Sequence, residues 1–169
     1  MALTIVRNDI TKMQVDAIVN STNESFEVGG LGVDAGIHYA AGPGLLEECR
    51  TLHGCRPGEA KATKAYRLKN KYIIHTVGPR YYVDPNREET LTNAYLNSLK
   101  LADSLGMESI AFPSLSTGAF GYPIEEAAEV CAKVLTTYQA KHLKRAYMCI
   151  YPHEDDLAIY QAAFRKYQN

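Results

Sequence analysis

Short apolar runs alternate with segments of helical periodicity along this chain of 169 residues. A continuous apolar run predicts a buried strand, whereas apolar residues at i, i+3 and i+4 predict a helix that buries one face. The segment after residue 89 shows the second pattern, because Leu91, Tyr95, Leu99 and Ala102 recur on one face and Gly106 ends it. The pattern predicts strands over residues 3–6, 17–19, 60–68, 72–76, 109–112 and 145–151, and helices over 34–41, 43–52, 89–105, 123–138 and from about 155 onward.

This alternation of strands and helices is typical of the α/β class. Helices that cover both faces of a sheet give a three-layer α/β/α domain, which is the fold we expect here. The strands over 60–68 and 72–76 follow each other without a helix between them, so the central sheet is expected to be mixed. A chain of this length is sufficient for one domain, and we expect residues 1–169 to form it.

Composition narrows the classes of function. The formal net charge is −1, which argues against a nucleic-acid-binding protein that relies on a broad basic face. The N-terminal apolar segment is too short for a secretory signal, and no apolar run approaches the length of a membrane span. We therefore expect a cytoplasmic protein with no membrane partner.

The four cysteines predict free thiols rather than a metal site. Cys131 and Cys149 lie on apolar patterns and are expected in the core. Cys49, His53 and Cys55 are close enough in sequence to suggest a metal, but a structural zinc site needs four ligands and no second pair follows. We expect no metal and a reducing compartment.

Two loops of small residues each follow a strand and lead into a helix. Residues 114–123 read SLSTGAFGYP, and the loop over 19–34 contains Gly29, Gly30 and Gly32. Backbone N–H groups in such loops and at helix N-termini bind anions. Ligands of open α/β sheets bind beyond the carboxyl ends of the strands, so both loops are expected to face one crevice. Neither GxxxxGK[ST] nor GxGxxG occurs, so the nucleotide sites that use these motifs are not expected.

Polar residues beside these loops are candidates for hydrolytic chemistry. Asn23 and Asp34 flank the glycines, and Asp34 is expected near a helix N-terminus, where it acts on a substrate or only caps the helix. His38 lies four residues later on the same face, and we expect it to be packed or paired rather than to act as a base. Asp9 follows the first strand and can accept a hydrogen bond from an exocyclic amine, although aspartate is common in turns. No GxSxG elbow occurs, so covalent catalysis is not expected.

Together these segments resemble the macrodomain family, which binds ADP-ribose. The resemblance covers nearly the whole chain, in the family's order. Its Asn…Gly-Gly…Val-Asp pattern is similar to that of the branch that hydrolyses mono-ADP-ribose from acidic side chains and deacetylates O-acetyl-ADP-ribose. The matching segments are residues 8–11, 15–23, 29–34, 37–43, 74–79 and 113–123.

The resemblance implies a role for each matching residue. Asp9 would accept a hydrogen bond from the adenine amine, and the Ile10 N–H would contact the same ring. Asn23 would hold the distal ribose. Asp34 would position or activate the attacking water, unless the diphosphate of the substrate acts as the base. The residues that would line the diphosphate and distal ribose are Gly30, Gly32 and Val33 on one side and Ser116, Thr117, Gly118, Ala119 and Phe120 on the other.

Adenine would pack near Tyr151 or Pro152, and the motif does not choose between them. We expect no cofactor. The partners that the resemblance implies are ADP-ribose, esters of ADP-ribose and mono-ADP-ribosylated proteins.

Three positions depart from the family pattern. Asn8 replaces a glycine, and Ser21-Thr22 replaces a pair of alanines. Leu31 interrupts the glycine run, which puts turnover and substrate choice in question more than binding. A non-catalytic ADP-ribose reader is therefore the alternative to the hydrolase, and a phosphatase acting on a terminal ADP-ribose phosphate is a third candidate.

Overall fold

The computed structural model describes residues 1–28, 32–151 and 154–168 of the chain. The strands are β1 (Ala2–Val6), β2 (Ala17–Ser21), β3 (Ala60–Lys64), β4 (Tyr72–Thr76), β5 (Ser109–Phe112) and β6 (Arg145–Cys149). The helices are α1 (Val33–Ala41), α2 (Gly44–Thr51), α3 (Arg87–Ser104), α4 (Ile124–Thr137) and α5 (Glu154–Gln168). Each element coincides with a predicted one to within a few residues.

The strands form one mixed sheet in the order β1-β6-β5-β2-β4-β3. All neighbouring pairs are parallel except β3 and β4, which are antiparallel. The parallel strands therefore end at one edge of the sheet. The loops that follow β1, β2, β5 and β6 start at this edge, as expected for a ligand site in an α/β fold.

Helices cover both faces of the sheet, which confirms the α/β/α layering. Helices α3, α4 and α5 pack on one face and bury large apolar side chains that include Leu91, Leu99 and Phe112. Helices α1 and α2 pack on the other face over Ile18, Ile37, Leu45 and Ile73. Period-2 alternation along the strands explains this division, since Ile73 and Ile74 point to opposite faces.

Three boundaries differ from the sequence-based prediction. Strand β3 ends at Lys64 rather than at residue 68, because Tyr66 adopts a left-handed conformation (φ 55°) that ends the extended backbone. Strand β6 ends at Cys149, two residues early. Pro123 has extended geometry (φ −58°, ψ 132°) and precedes α4 instead of forming its first residue.

The described helices are those of a layered α/β fold. The longest of them, α3, contains 18 residues and begins with Arg87, Glu88 and Glu89. None of the helices in the described part of the chain is both long and apolar enough to cross a membrane.

Candidate functional site

A cleft of about 570 Å³ opens at the edge of the sheet where the parallel strands end. Gly32 and Val33 at the start of α1 line one side, and Thr117 and Gly118 after β5 line the other. The structure thus brings the two small-residue loops together on one crevice. The other predicted binding residues that line it are Asp9, Ile10 and Tyr151.

The remaining predicted residues lie around this cleft or outside the described chain. Asn23, Asp34, Ser116, Ala119 and Phe120 are described but are not among its lining residues. The positions that fall outside the described residues are Gly30, Leu31 and Pro152.

Asp9 is fixed at one end of the cleft by its own turn. Its Oδ1 accepts hydrogen bonds from the Thr11 backbone N–H (2.9 Å) and from Thr11 Oγ1 (2.8 Å). Asp9 precedes the short 3-10 turn Ile10–Lys12 as its N-cap, and Ile10 is buried beneath it. Tyr151 lies on the same end of the cleft and is 61% exposed. A fixed carboxylate and an exposed aromatic ring form a suitable wall for a flat heterocycle with an amine.

The loop after β5 presents backbone donors. Its ends are closed by hydrogen bonds from Tyr122 N to Ser116 O (2.9 Å) and from Gly121 N to Gly118 O (3.0 Å). Ser116 (φ 66°) and Gly121 (φ 73°) adopt left-handed conformations. Within the described chain, the N–H groups of residues 116–120 have no hydrogen-bond acceptor. Successive unpaired N–H groups next to a left-handed residue form an anion-binding concavity.

Ser116 in this loop packs closely against Gly78, which lies in the segment that follows β4. A Cβ atom at Gly78 would collide with Ser116 Oγ unless that side chain moved, so glycine favours this close approach. A Cβ atom at Gly118 would meet nothing within 4 Å, because Gly118 faces the open cleft. The loop is therefore packed against Gly78 at Ser116 and open towards the cleft at Gly118.

Asn23 closes the beginning of the other loop. Its Oδ1 accepts hydrogen bonds from Ser25 N (3.1 Å) and Ser25 Oγ (2.8 Å), and its Nδ2 donates to Glu27 O (2.8 Å). The structure therefore shows Asn23 shaping the segment that leads into the glycines.

Asp34 is buried in the first turn of α1, between the cleft-lining residues Val33 and Gly36. Gly32 is the N-cap residue, so Asp34 does not cap the helix. Its Oδ1 accepts a hydrogen bond from Asn20 Nδ2 (2.7 Å) and lies 3.4 Å from His38 Nε2. His38 is thus paired, as expected, and its partner is the candidate catalytic carboxylate.

The cysteines are buried and free. Burial, with the charges of Asp34 and Glu48, raises the pKa of Cys49 to about 12. Burial and Asp9 raise the pKa of Cys149 to about 12. Thiols in this state are poor nucleophiles and poor metal ligands at neutral pH. Among the described residues, no three His, Cys, Asp or Glu side chains cluster as metal ligands would.

A family model decides the classification. The macro domain model matches residues 19–131, which include β2, the start of α1 and the loop after β5. The chain belongs to the macro domain family. The resemblance seen in the sequence is therefore confirmed.

Relatives and solved structures agree with this assignment. The macro domain-containing protein CT2219 of Chlorobaculum tepidum is 47% identical over 161 residues, covering 94% of this chain and 92% of its own. The ADP-ribose glycohydrolase MACROD1 of Rattus norvegicus is 45% identical over 170 residues, covering 98% of this chain and 65% of its own. The Oceanobacillus iheyensis macrodomain with ADP has a TM-score of 0.90 and 38% identity, covering 96% of this chain and 89% of that chain. This macro domain spans only about half of the Bos taurus MACROD1 sequence (49%).

Sequence reasoning assigned no role to two buried polar residues behind Asp34 in this macro domain, Asn20 and His75. Both are fully buried within strands, where their neighbours form apolar runs. Asn20 on β2 is the register partner of His75 on β4, and Asn20 Nδ2 lies 3.2 Å from His75 Nδ1. The sequence did carry a signal, which was one polar residue within each of two apolar strands. Because unpaired polar groups are costly in a buried sheet, two such residues are expected to be hydrogen-bonded partners.

Proposed function

We propose that this macro domain is an ADP-ribose-binding hydrolase that removes mono-ADP-ribose from acidic side chains and hydrolyses O-acetyl-ADP-ribose. One observation carries the proposal: Thr117 and Gly118 of the loop after β5, whose N–H groups have no acceptor within the described chain, line one cleft with Gly32 and Val33, which lie next to the buried Asp34. The family assignment supports it, since relatives named ADP-ribose glycohydrolase are about 45% identical and a macrodomain with ADP has the same fold.

The proposed ligand extends along the edge of the sheet. Adenine would lie beside Asp9, Ile10 and Tyr151, where the wall of the cleft offers a carboxylate, a backbone N–H and a ring. The diphosphate would lie between the α1 N-terminus and the loop after β5, because both present N–H groups to an anion. The residues proposed to surround the diphosphate and distal ribose are Gly30, Gly32, Val33, Ser116, Thr117, Gly118, Ala119 and Phe120, with Asn23 on the distal ribose.

The proposed reaction adds water to an ester of the distal ribose. The water oxygen bonds to the acyl carbon, the bond between this carbon and the ribose oxygen breaks, and the ribose oxygen takes up the proton that the water loses. The products are ADP-ribose with a free hydroxyl and a carboxylic acid. Asp34 is the candidate for holding or deprotonating this water, because its buried carboxylate lies next to cleft-lining Val33. If the substrate diphosphate takes the proton instead, Asp34 has only a positioning part.

Composition and the free thiols point to the biological setting. The partners would be ADP-ribose, its esters and mono-ADP-ribosylated proteins, with no cofactor. A net charge of −1 offers no general attraction for nucleic acid. The free thiols favour a reducing compartment such as the cytoplasm. We propose that residues 1–169 act as one domain.

The decisive experiment measures ADP-ribose released from a substrate mono-ADP-ribosylated on aspartate or glutamate. The wild type should release it, and Gly118→Glu should not, because a bulky anion would occupy the open space beside the diphosphate. Gly118→Ala is the matched control and should keep most activity, since its Cβ meets no atom within 4 Å.

Two results would contradict parts of this proposal. If Gly118→Glu binds ADP-ribose normally while its circular dichroism is unchanged, the loop after β5 is not the phosphate site. If the wild type binds ADP-ribose without releasing it from an ester, the protein is a reader, and Leu31 in the glycine run is the first position to revert to glycine.

A further inference from the structure

A chain of buried polar side chains leads from the middle of the sheet to Asp34. Thr63 Oγ1 on β3 lies 2.9 Å from His75 Nε2 on β4. His75 Nδ1 lies 3.2 Å from Asn20 Nδ2 on β2. Asn20 Nδ2 also donates a hydrogen bond to Asp34 Oδ1 at 2.7 Å. All these residues are buried, with exposures of 7% or less. The candidate catalytic carboxylate is therefore connected to side chains that do not line the cleft.

The partners fix the direction of each hydrogen bond. A carboxylate oxygen accepts, so the Asn20 NH₂ group must face Asp34, and its second hydrogen points to His75 Nδ1. Nδ1 then accepts, which leaves the proton on Nε2 for donation to Thr63 Oγ1. Burial and the nearby charge of His38 lower the pKa of His75 to about 3, although Asp34 opposes the shift, so the ring stays neutral.

The orientation of the Asn20 amide that allows both of these hydrogen bonds leaves its carbonyl oxygen unpaired within the described chain. This oxygen, Oδ1, is buried. Burying an unpaired carbonyl is unfavourable, and the adjacent β2 residues Ile18 and Val19 are apolar. The two hydrogen bonds of its NH₂ group, to Asp34 and His75, explain why an asparagine occupies this position.

The ring of His75 is itself held in place. Phe26 packs against it edge to face, with ring centroids 5.5 Å apart, and Cys49 Sγ lies 3.9 Å from Nε2. A neutral ring fixed by packing and by Thr63 offers Asn20 an acceptor in a single orientation.

We propose that His75 is a positioning residue for hydrolysis, which orients the Asn20 amide and through it the Asp34 carboxylate. The inference rests on the proposed function, because it assumes that Asp34 takes part in turnover. His75 and Asn20 do not line the cleft, so their loss should change kcat and leave ADP-ribose affinity nearly unchanged.

The test compares two substitutions of similar size, His75→Leu and His75→Asn. Leucine removes the acceptor, and kcat on an ester-linked substrate should fall ~10–100-fold, as when a supporting residue behind a reactive group is lost. The Oδ1 of asparagine falls near the position of Nδ1, so His75→Asn should recover most of that loss. Calorimetry should give ADP-ribose dissociation constants within about threefold of wild type for both variants.

Ile74→Ala is the matched control for general damage to the sheet. It truncates a fully buried side chain on the same strand but on the opposite face, and kcat of its folded fraction should stay at the wild-type value. If Ile74→Ala lowers kcat as much as His75→Leu, or if His75→Asn is no better than His75→Leu, the positioning role is wrong.

A second set of variants separates this inference from the proposed function. If His75 acts through Asp34, His75→Leu should cause no further loss of kcat in an Asp34→Ala background. An equal loss in both backgrounds would overturn the inference while leaving the role of Asp34 intact. If Asp34→Ala alone hydrolyses the ester at the wild-type rate, both the role of Asp34 and the inference are wrong.

Discussion

Asp34 and Asp103 are buried carboxylates in opposite helical layers, and they are held in different ways. Asp103, near the end of α3, accepts hydrogen bonds from the backbone N–H groups of Lys141 (2.9 Å), His142 (2.7 Å) and Leu143 (3.0 Å) and from the Tyr138 hydroxyl (2.7 Å). Asp34, at the start of α1, accepts from the side chain of Asn20 and lies beside His38.

This difference indicates a structural role for Asp103 and a chemical role for Asp34. The donors of Asp103 belong mainly to one loop, which this carboxylate ties to α3 ahead of β6. Asp34 accepts a hydrogen bond from the side chain of Asn20 on β2, and the carboxylate lies next to an open cleft. We infer that Asp103 contributes stability and that Asp34 contributes function, and each of the following predictions can break this division.

Asp34→Ala should have the largest effect. Loss of a group that positions or deprotonates water typically costs ~10²–10⁴-fold in rate. We expect kcat to fall by that factor, while ADP-ribose affinity falls much less, because the interaction matters mainly in the transition state. Single-turnover release of ADP-ribose together with calorimetry measures both quantities. Asn23→Ala should damage both, because Asn23 shapes the loop before the glycines.

The opposing roles of these aspartates could be predicted only in part from the sequence. Apolar periodicity located the six strands and five α-helices of the described residues, because burial of one face controls which residue types each element tolerates. It also placed Asp34 beside a glycine loop at a helix N-terminus. The link from Asp34 through Asn20 to His75 depends on the register of β2 and β4, which are separated by α1, α2 and β3 in the chain. No local pattern specifies that register.

Asp103→Ala should have the largest effect on stability. The substitution leaves the N–H groups of the loop before β6 without their acceptor, and we expect the free energy of unfolding to fall by about 2–4 kcal/mol. Denaturant titration measures this loss, and turnover per folded molecule should remain at the wild-type value. A loss of turnover in fully folded Asp103→Ala protein would show that the two carboxylates are not functionally separate.

Asp9 shares a feature with each of them: like Asp103 it accepts a hydrogen bond from a backbone N–H, and like Asp34 it is close to the cleft, which it lines directly. Asp9→Ala should weaken ADP-ribose binding by about 1–3 kcal/mol, the usual cost of an unpaired buried polar group. Calorimetry with AMP is the control: the same loss for AMP places the defect at the adenine end. An unchanged affinity for both ligands would mean that Asp9 only closes its turn.

The smallest effect is a dependence of stability on pH that belongs to Asp103. Burial opposes its ionisation, but the hydrogen bonds from Lys141 N, the Tyr138 hydroxyl, His142 N and Leu143 N outweigh burial and lower the pKa to about 2 from 3.8. Because the pKa in the folded state lies below that of the unfolded chain, the ionised carboxylate stabilises the fold above pH ~4 and loses this contribution as the pH falls towards ~2.

We expect the loss over this interval to be about 1–2 kcal/mol more for the wild type than for Asp103→Asn, which cannot titrate at this position. Urea unfolding at a series of pH values measures the two slopes. If the free energy of unfolding falls equally with pH in both proteins, the fold does not stabilise the ionised form of Asp103. Asp103 and Asp34 would then differ only in where they lie in the fold.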